Sequence, residues 1–166
     1  MSLNLAVLLR ESAKKYPDRV AIVVGDTELT YGVLHTYAQK LAGSLLQLGI
    51  QRGQHVAIMI PNVPHFTIAY FAIHYCGGVV VPLNVLLKGD EVQYHLEDSD
   101  AVALFAWEGF LEDAQKGFNR TDDCKHLIVA KADPTDVTAP EGLLNMTALI
   151  GAGEPVSELP ATDPDD

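Results

Sequence analysis

The densest run of reactive side chains is Tyr70–Asn84, YFAIHYCGGVVVPLN, where His74, Cys76, Gly77-Gly78 and Pro82 stand within a few residues of one another. A thiol beside an imidazole could serve as a nucleophile with its base. Helical geometry opposes that pairing, because residues two apart on a helix point in different directions. His65 shares a similar face with Cys76 but lies about three turns, ~16 Å, away along the axis. Cys76 is therefore read as a small buried thiol on a helix rather than a catalytic one.

The other reactive residues are no better grouped. The six histidines (His35, His55, His65, His74, His95 and His126) are never closer than nine positions, and no CxxC or HxxxH pair occurs. That spacing offers no metal site. Glu97, Asp98 and Asp100, with Asp122 and Asp123, form acidic clusters at expected helix ends, where solvation leaves no means of separating two carboxyl pKa values. Neither GxGxxG nor GxxxxGK[ST] is present, so neither common phosphate cradle is available. The residues themselves nominate no catalytic, cofactor-binding or metal-binding position.

The elements that would position a site are clearer. Leu5, Leu8, Leu9 and Ala13 make a helical stripe ending at Tyr16-Pro17, and Val20–Val24 and Thr27–Thr30 flank Gly25-Asp26 as a hairpin. Thr30 is expected to cap a long helix that stops at Gly49. His55–Ile60 reads as a strand buried on both faces, and Asn62 with Pro64 starts a helix running to Cys76. Val79–Leu83 is a strand, Asp90–Asp98 a helix, Ala101–Ala106 a strand, Glu108–Phe118 a helix and His126–Ala130 a last strand. Such alternation implies an α/β fold, a mostly parallel sheet with helices on both faces. Ligands would then bind beyond the carboxyl ends of strands, in the loops Asn62–Pro64, Asn84–Asp90 and Trp107–Gly109.

Composition sets the outer limits. The chain has 166 residues, 48% hydrophobic and 20% charged, with a net charge of -11, ordinary for one globular unit and wrong for a nucleic-acid partner. Residues 131–166 carry eight acidic side chains against Lys131 alone and hold five of the nine prolines. Residues 1–130 are read as the packed body and 131–166 as an acidic linker, with only Glu141–Ile150 weakly helical. Two cysteines, no signal-peptide pattern and no long apolar span point to a cytoplasmic protein.

The order of segments resembles the N-terminal portion of the AMP-forming, adenylate-forming enzymes, most nearly their long-chain fatty acyl-CoA ligases. The resemblance is carried by AKKYPDRVAIVVGD (13–26), ELTYGVL (28–34), GIQRGQHVAIMIPN (49–62), AYFAIHYCGGVVVPLN (69–84) and YHLEDSDAVALF (94–105). Gln54 stands where that family usually has an acidic residue, and Asn84 leans toward acyl-CoA ligases. The resemblance implies the first part of the family's large domain, with ATP, Mg and coenzyme A as cofactors of the full-length enzyme and a carboxylic acid as substrate. It places no catalytic residue on any position here, since the Thr/Ser/Gly-rich phosphate loop is expected just after LPATDPDD (159–166). The chain is thus expected to be an inactive N-terminal fragment, partnered by the remainder of its own chain or by a second copy through an exposed sheet edge. The alternatives are a non-catalytic α/β ligand-binding or interaction module, and a ligase for an aryl acid.

Overall fold

The computed structural model describes residues 4–162; the last four positions of the expected acidic linker, with Asp163, Asp165 and Asp166, lie outside the described residues. The chain runs α1 (Ala6–Lys15), β1 (Val20–Val24), β2 (Thr27–Thr30), α2 (Tyr31–Gln47), β3 (His55–Met59), α3 (Pro64–Tyr75), β4 (Val79–Pro82), α4 (Gly89–Asp98) and β5 (Ala101–Trp107). It continues through a 3-10 turn (Glu108–Phe110), α5 (Leu111–Phe118), β6 (His126–Ala130), β7 (Leu144–Asn145) and α6 (Met146–Ala152). β1 and β2 form an antiparallel hairpin, and the main sheet has the order β4-β3-β5-β6-β7 with every pair parallel. The α/β class expected from the alternation is the architecture found.

Side-chain alternation in the central strands produces two cores. Val56 and Ile58 of β3, Phe105 of β5 and Ile128 of β6 face α1, α2, α3 and α6. Ala57 and Met59, Leu104 and Leu127 face α4 and α5 on the other side. All of these residues are fully or almost fully buried, which explains the near-continuous apolar runs at 56–60, 101–106 and 127–130.

Local signals set most boundaries. Thr30 caps α2 by accepting from the Val33 amide at 3.3 Å, and the chain leaves that helix through Gly49 at φ 90°. The helix expected from Asn62 instead has Val63 as its N-cap, with Pro64 in the first turn and no side-chain cap; the pre-proline residue is held extended, so the helix cannot begin sooner.

Beyond Ala130 the acidic stretch attaches to the body in two steps. Lys131 Nζ donates to Asp136 Oδ2 and to Thr138 Oγ1, both at 2.7 Å; the Lys131 bond, with the Thr138 hydroxyl and amide donating to Asp136 Oδ1, holds the Asp136 carboxyl down at about 2. The chain then adds β7 beside β6, and Asn145 Oδ1 caps α6 by accepting from the Ala148 amide at 2.9 Å. That cap places the helix a turn later than the weak 141–150 pattern.

α6 and the strand-like residues after it lie against α2 at backbone distance. A Cβ on Gly43 would come within 1.9 Å of the Glu154 carbonyl oxygen, and one on Gly153 within 1.9 Å of the Lys40 carbonyl oxygen. Ser44 Oγ donates to the Leu149 carbonyl at 2.7 Å, and Gln39 Nε2 to that of Val156 at 2.6 Å. Gly43 therefore occupies the middle of a helix for the sake of contact, against its helix propensity.

α2 and α3 are joined by a partly buried polar bond, Tyr75 Oη to His35 Nδ1 at 2.6 Å. Burial, and then the Arg10 guanidinium, push the His35 pKa below its ordinary value, while burial pushes the Tyr75 phenol up to about 12.

Two outcomes follow for stability. Gly43→Ala is expected to lower urea resistance by about 1–3 kcal/mol or more, as overpacking against rigid backbone does; a change within experimental error contradicts the seat. Because the folded His35 binds its proton less readily than the unfolded imidazole, its contribution is complete above about pH 6.5 and lost as pH falls below that value. Between about pH 7.5 and about pH 5.5 the wild-type chain should lose more stability than His35→Gln, and equal losses in denaturant titrations count against this.

Candidate functional site

The carboxyl ends of β3 and β5, with the residues after β6, open into one groove of about 330 Å³, within the size of small-molecule sites. Val63, Pro64, His65, Ile68, Trp107, Ala132 and Pro134 line it from the sheet side, and Val24, Thr27, Leu29 and Tyr37 from the hairpin and α2. Two of the three expected ligand loops therefore meet here, Asn62–Pro64 and the Trp107 end of β5. The third, Asn84–Asp90, does not line the groove. It is held as an approach to α4, with Asn84 Oδ1 accepting from the Leu86 amide at 2.9 Å and the Lys88 amide donating to Glu91 Oε2 at 2.8 Å.

The groove is apolar with few polar groups. His65 meets Trp107 edge-on at 5.4 Å between ring centroids, and its Nδ1 is buried without a hydrogen-bond partner. Burial lowers the His65 pKa, with Glu108 acting weakly in the opposite direction, so the imidazole is neutral near pH 7 and offers one donor and one acceptor. Glu108 is already engaged, accepting from the Ala132 amide at 2.7 Å. Such a surface can receive an apolar or aromatic body and orient one neutral polar group. Nothing lining it is cationic, and phosphate needs cations or convergent backbone amides.

The residues singled out in the sequence are dispersed. Cys76 follows α3, where its Sγ donates to the Ala42 carbonyl at 3.3 Å and burial pushes the thiol up to about 12. A thiol so held is protonated at neutral pH and unreactive. His74 packs edge-on against Tyr70 at 4.7 Å, its Nε2 buried and unpartnered and its pKa lowered by burial. Gly77 turns the chain at φ 76°, at the amino end of β4 and away from the ligand-bearing ends. His55 and His126 bond the Ser99 and Leu48 carbonyls, and His95 meets Tyr94 edge-on.

Glu97, Asp100, Asp122 and Asp123 do converge, around a cavity of about 230 Å³ with Leu96 and Cys124. That cavity sits at the amino ends of β5 and β6, opposite the groove. Among the described residues no group of three or more His, Cys, Asp or Glu side chains could hold a metal ion. Sequence reasoning missed the hairpin and Tyr37 as groove walls and Ala132–Pro134 as its rim. The exposure of Val24 (38%) and Tyr37 (39%) was the available signal, but it requires the fold.

The same chain matches known proteins along most of its length. A family model described as AMP-binding enzyme matches residues 9–166. A long-chain-fatty-acid–CoA ligase of Bacillus subtilis (strain 168) is 39% identical over 101 residues, 61% of this chain and 18% of that protein. A medium/long-chain-fatty-acid–CoA/3-oxocholest-4-en-26-oate–CoA ligase of Mycobacterium tuberculosis (strain ATCC 25618 / H37Rv) is 28% identical over 155 residues, 93% of this chain and 28% of that one. The chain thus spans less than a third of the length of these relatives. In structure, a benzoate CoA ligase from Burkholderia xenovorans LB400 aligns with a TM-score of 0.85 at 24% identity, over 99% of this chain and 31% of its own. The anthranilate CoA ligase AuaEII aligns with a TM-score of 0.87 at 22% identity, over 97% and 30%. At those identities the two structures speak for the fold. The chain belongs to the AMP-binding enzyme family.

Proposed function

We propose that these 166 residues are the N-terminal part of an ATP-dependent fatty acid–CoA ligase and that they support its chemistry without containing its catalytic groups. The whole protein would join ATP and a carboxylic acid into an acyl-adenylate with release of pyrophosphate, then pass the acyl group to coenzyme A. The observation that carries this reading is the family match over residues 9–166, which runs through both layers of the fold. A fatty acid is preferred to an aryl acid because the curated relatives at 39% and 28% identity are both named as fatty-acid ligases.

The residues present do not fit ATP or Mg. The groove lacks cations, and the convergent carboxylates lie at the opposite ends of the strands. ATP, Mg and coenzyme A are therefore assigned to parts of the protein beyond these residues. Within the segment we read 1–130 as the α/β subdomain and 131–166 as the connection leading onward, which lends β7 to the same sheet and α6 to the same helical layer. Among the described residues no helix is long and apolar enough to cross a membrane, and we place the enzyme in the cytoplasm. Among the described residues one edge of β4 has no strand partner, and in the chain carried alone two copies would associate through it.

Two measurements test this. Acid-dependent ATP–pyrophosphate exchange should be absent from the purified 166-residue chain and present in the full-length product of its gene; exchange by the short chain, or a stop codon directly after Asp166, contradicts the reading. Light scattering of the short chain over rising concentration should reveal a dimer, and a monomer throughout removes the edge contact.

A further inference from the structure

The residues that follow α6 are tied down at intervals, with little burial between the ties. Residues 153–160 (GEPVSELP) have no regular secondary structure; Gly153 is buried, Val156, Leu159 and Pro160 are half-buried, and the other four are exposed. A segment with so few buried apolar contacts has little of its own to keep it closed. At its start, Gly153 lies against the Lys40 carbonyl and Glu154 against Gly43. In its middle, Gln39 grips Val156 twice. Its Nε2 donates to the Val156 carbonyl at 2.6 Å, and its own carbonyl accepts from the Val156 amide at 3.3 Å.

At the far end the partner is Asn4, from the other end of the chain. Asn4 is 5% exposed, a burial that a side-chain amide sustains when its polar atoms are bonded. Its Nδ2 donates to the carbonyls of His74 at 2.8 Å and Pro160 at 3.3 Å, and its Oδ1 accepts from the Ala6 amide at 2.8 Å. One side chain thus ties the start of α1, the end of α3 and Pro160 together.

The segment passes beside one of the two thiols. Cys76 Sγ donates to the Ala42 carbonyl, and the next residue after each partner meets the segment. A Cβ on Gly43 would come within 1.9 Å of the Glu154 carbonyl oxygen, and one on Gly77 within 2.8 Å of the Pro160 ring. Val156 and Leu159 pack on the core that contains Ala42 and Cys76. Cys124 belongs to the other core, across the sheet.

We propose that residues 153–160 form a cover over Cys76 and that Asn4 is the pin that holds it closed. Without the two Asn4 donations the cover lifts as a unit while both cores stay packed. Lifting exposes Cys76 and leaves Cys124 buried, so the ratio of their labelling rates separates it from loosening of the whole fold. The assignment stands apart from the ligase reading.

Asn4→Asp tests it in the 166-residue chain, since a carboxylate can still accept from the Ala6 amide but cannot donate to His74 or Pro160. Each cysteine is followed by peptide mapping after labelling of the native chain with a chromogenic disulfide. In the unsubstituted chain the two thiols should react together, as slowly as the chain unfolds. In Asn4→Asp, Cys76 should react at least about 10-fold faster than Cys124, the scale of losing buried hydrogen bonds. Gln39→Ala, which removes the bond to the Val156 carbonyl, should shift the ratio in the same direction. Equal rates at the two cysteines in Asn4→Asp overturn the pin, and equal rates in both variants overturn the cover as well. If Asn4→Asp fails to fold, Gln39→Ala decides alone, and equal rates there overturn the proposal.

Discussion

A parallel pair of strands with no solvent-facing side has to be covered twice, and β3 with β5 is such a pair. Their side chains alternate strictly between two apolar layers, Val56, Ile58 and Phe105 on one side and Ala57, Met59 and Leu104 on the other. Once that is fixed, the rest of the molecule has limited freedom. Helices must come from both directions, loops must gather at the strand ends, and polar residues must collect at the rims. At about 25 cal/mol per Å² of apolar surface removed from water, the double coverage is the dominant favourable contribution. The groove at the carboxyl ends and the acidic cavity at the amino ends are opposite consequences of the same strand direction.

The α2 side carries a second constraint. Gly43 and Gly153 bring α2 and the residues after α6 to backbone contact, and Gln39 and Ser44 bond across the seam. The acidic tail is thereby a strap across the helical layer, and it delivers Pro160 to the turn before β4. Connection and scaffold are one packed unit over the described residues, which is why residues far apart in sequence, Asn4 and Pro160, share a hydrogen bond.

Much of this was legible in the sequence, for identifiable reasons. Unbroken apolar runs such as 56–60 are what burial on both faces demands, Thr30 carries its cap in its own side chain, and Gly49 ends its helix through a positive φ. The fate of Cys76 could be argued from helical spacing alone. Other features were not legible. β7 is two residues long and owes its existence to β6, so no local pattern announces it. Gly43 looks like a weak point in a helix until Glu154 is seen against it. The loop Asn84–Asp90 looks open in sequence, yet the bond from the Lys88 amide to the Glu91 carboxylate closes it onto α4. The groove escaped notice because part of its wall comes from the hairpin, and nothing in Val24 or Leu29 foretells what they face.

The stretch around Cys76 is architecture, a buried helix end and a turn rather than a reactive site. Thiol labelling of the native 166-residue chain at neutral pH with a chromogenic disulfide tests it most directly. Cys76 and Cys124 are both buried, with thiols pushed up to about 12, so both should react only as fast as the chain unfolds, and at once after denaturation. Stoichiometric labelling of Cys76 in the folded chain, faster than unfolding, would show an accessible thiolate and contradict the account.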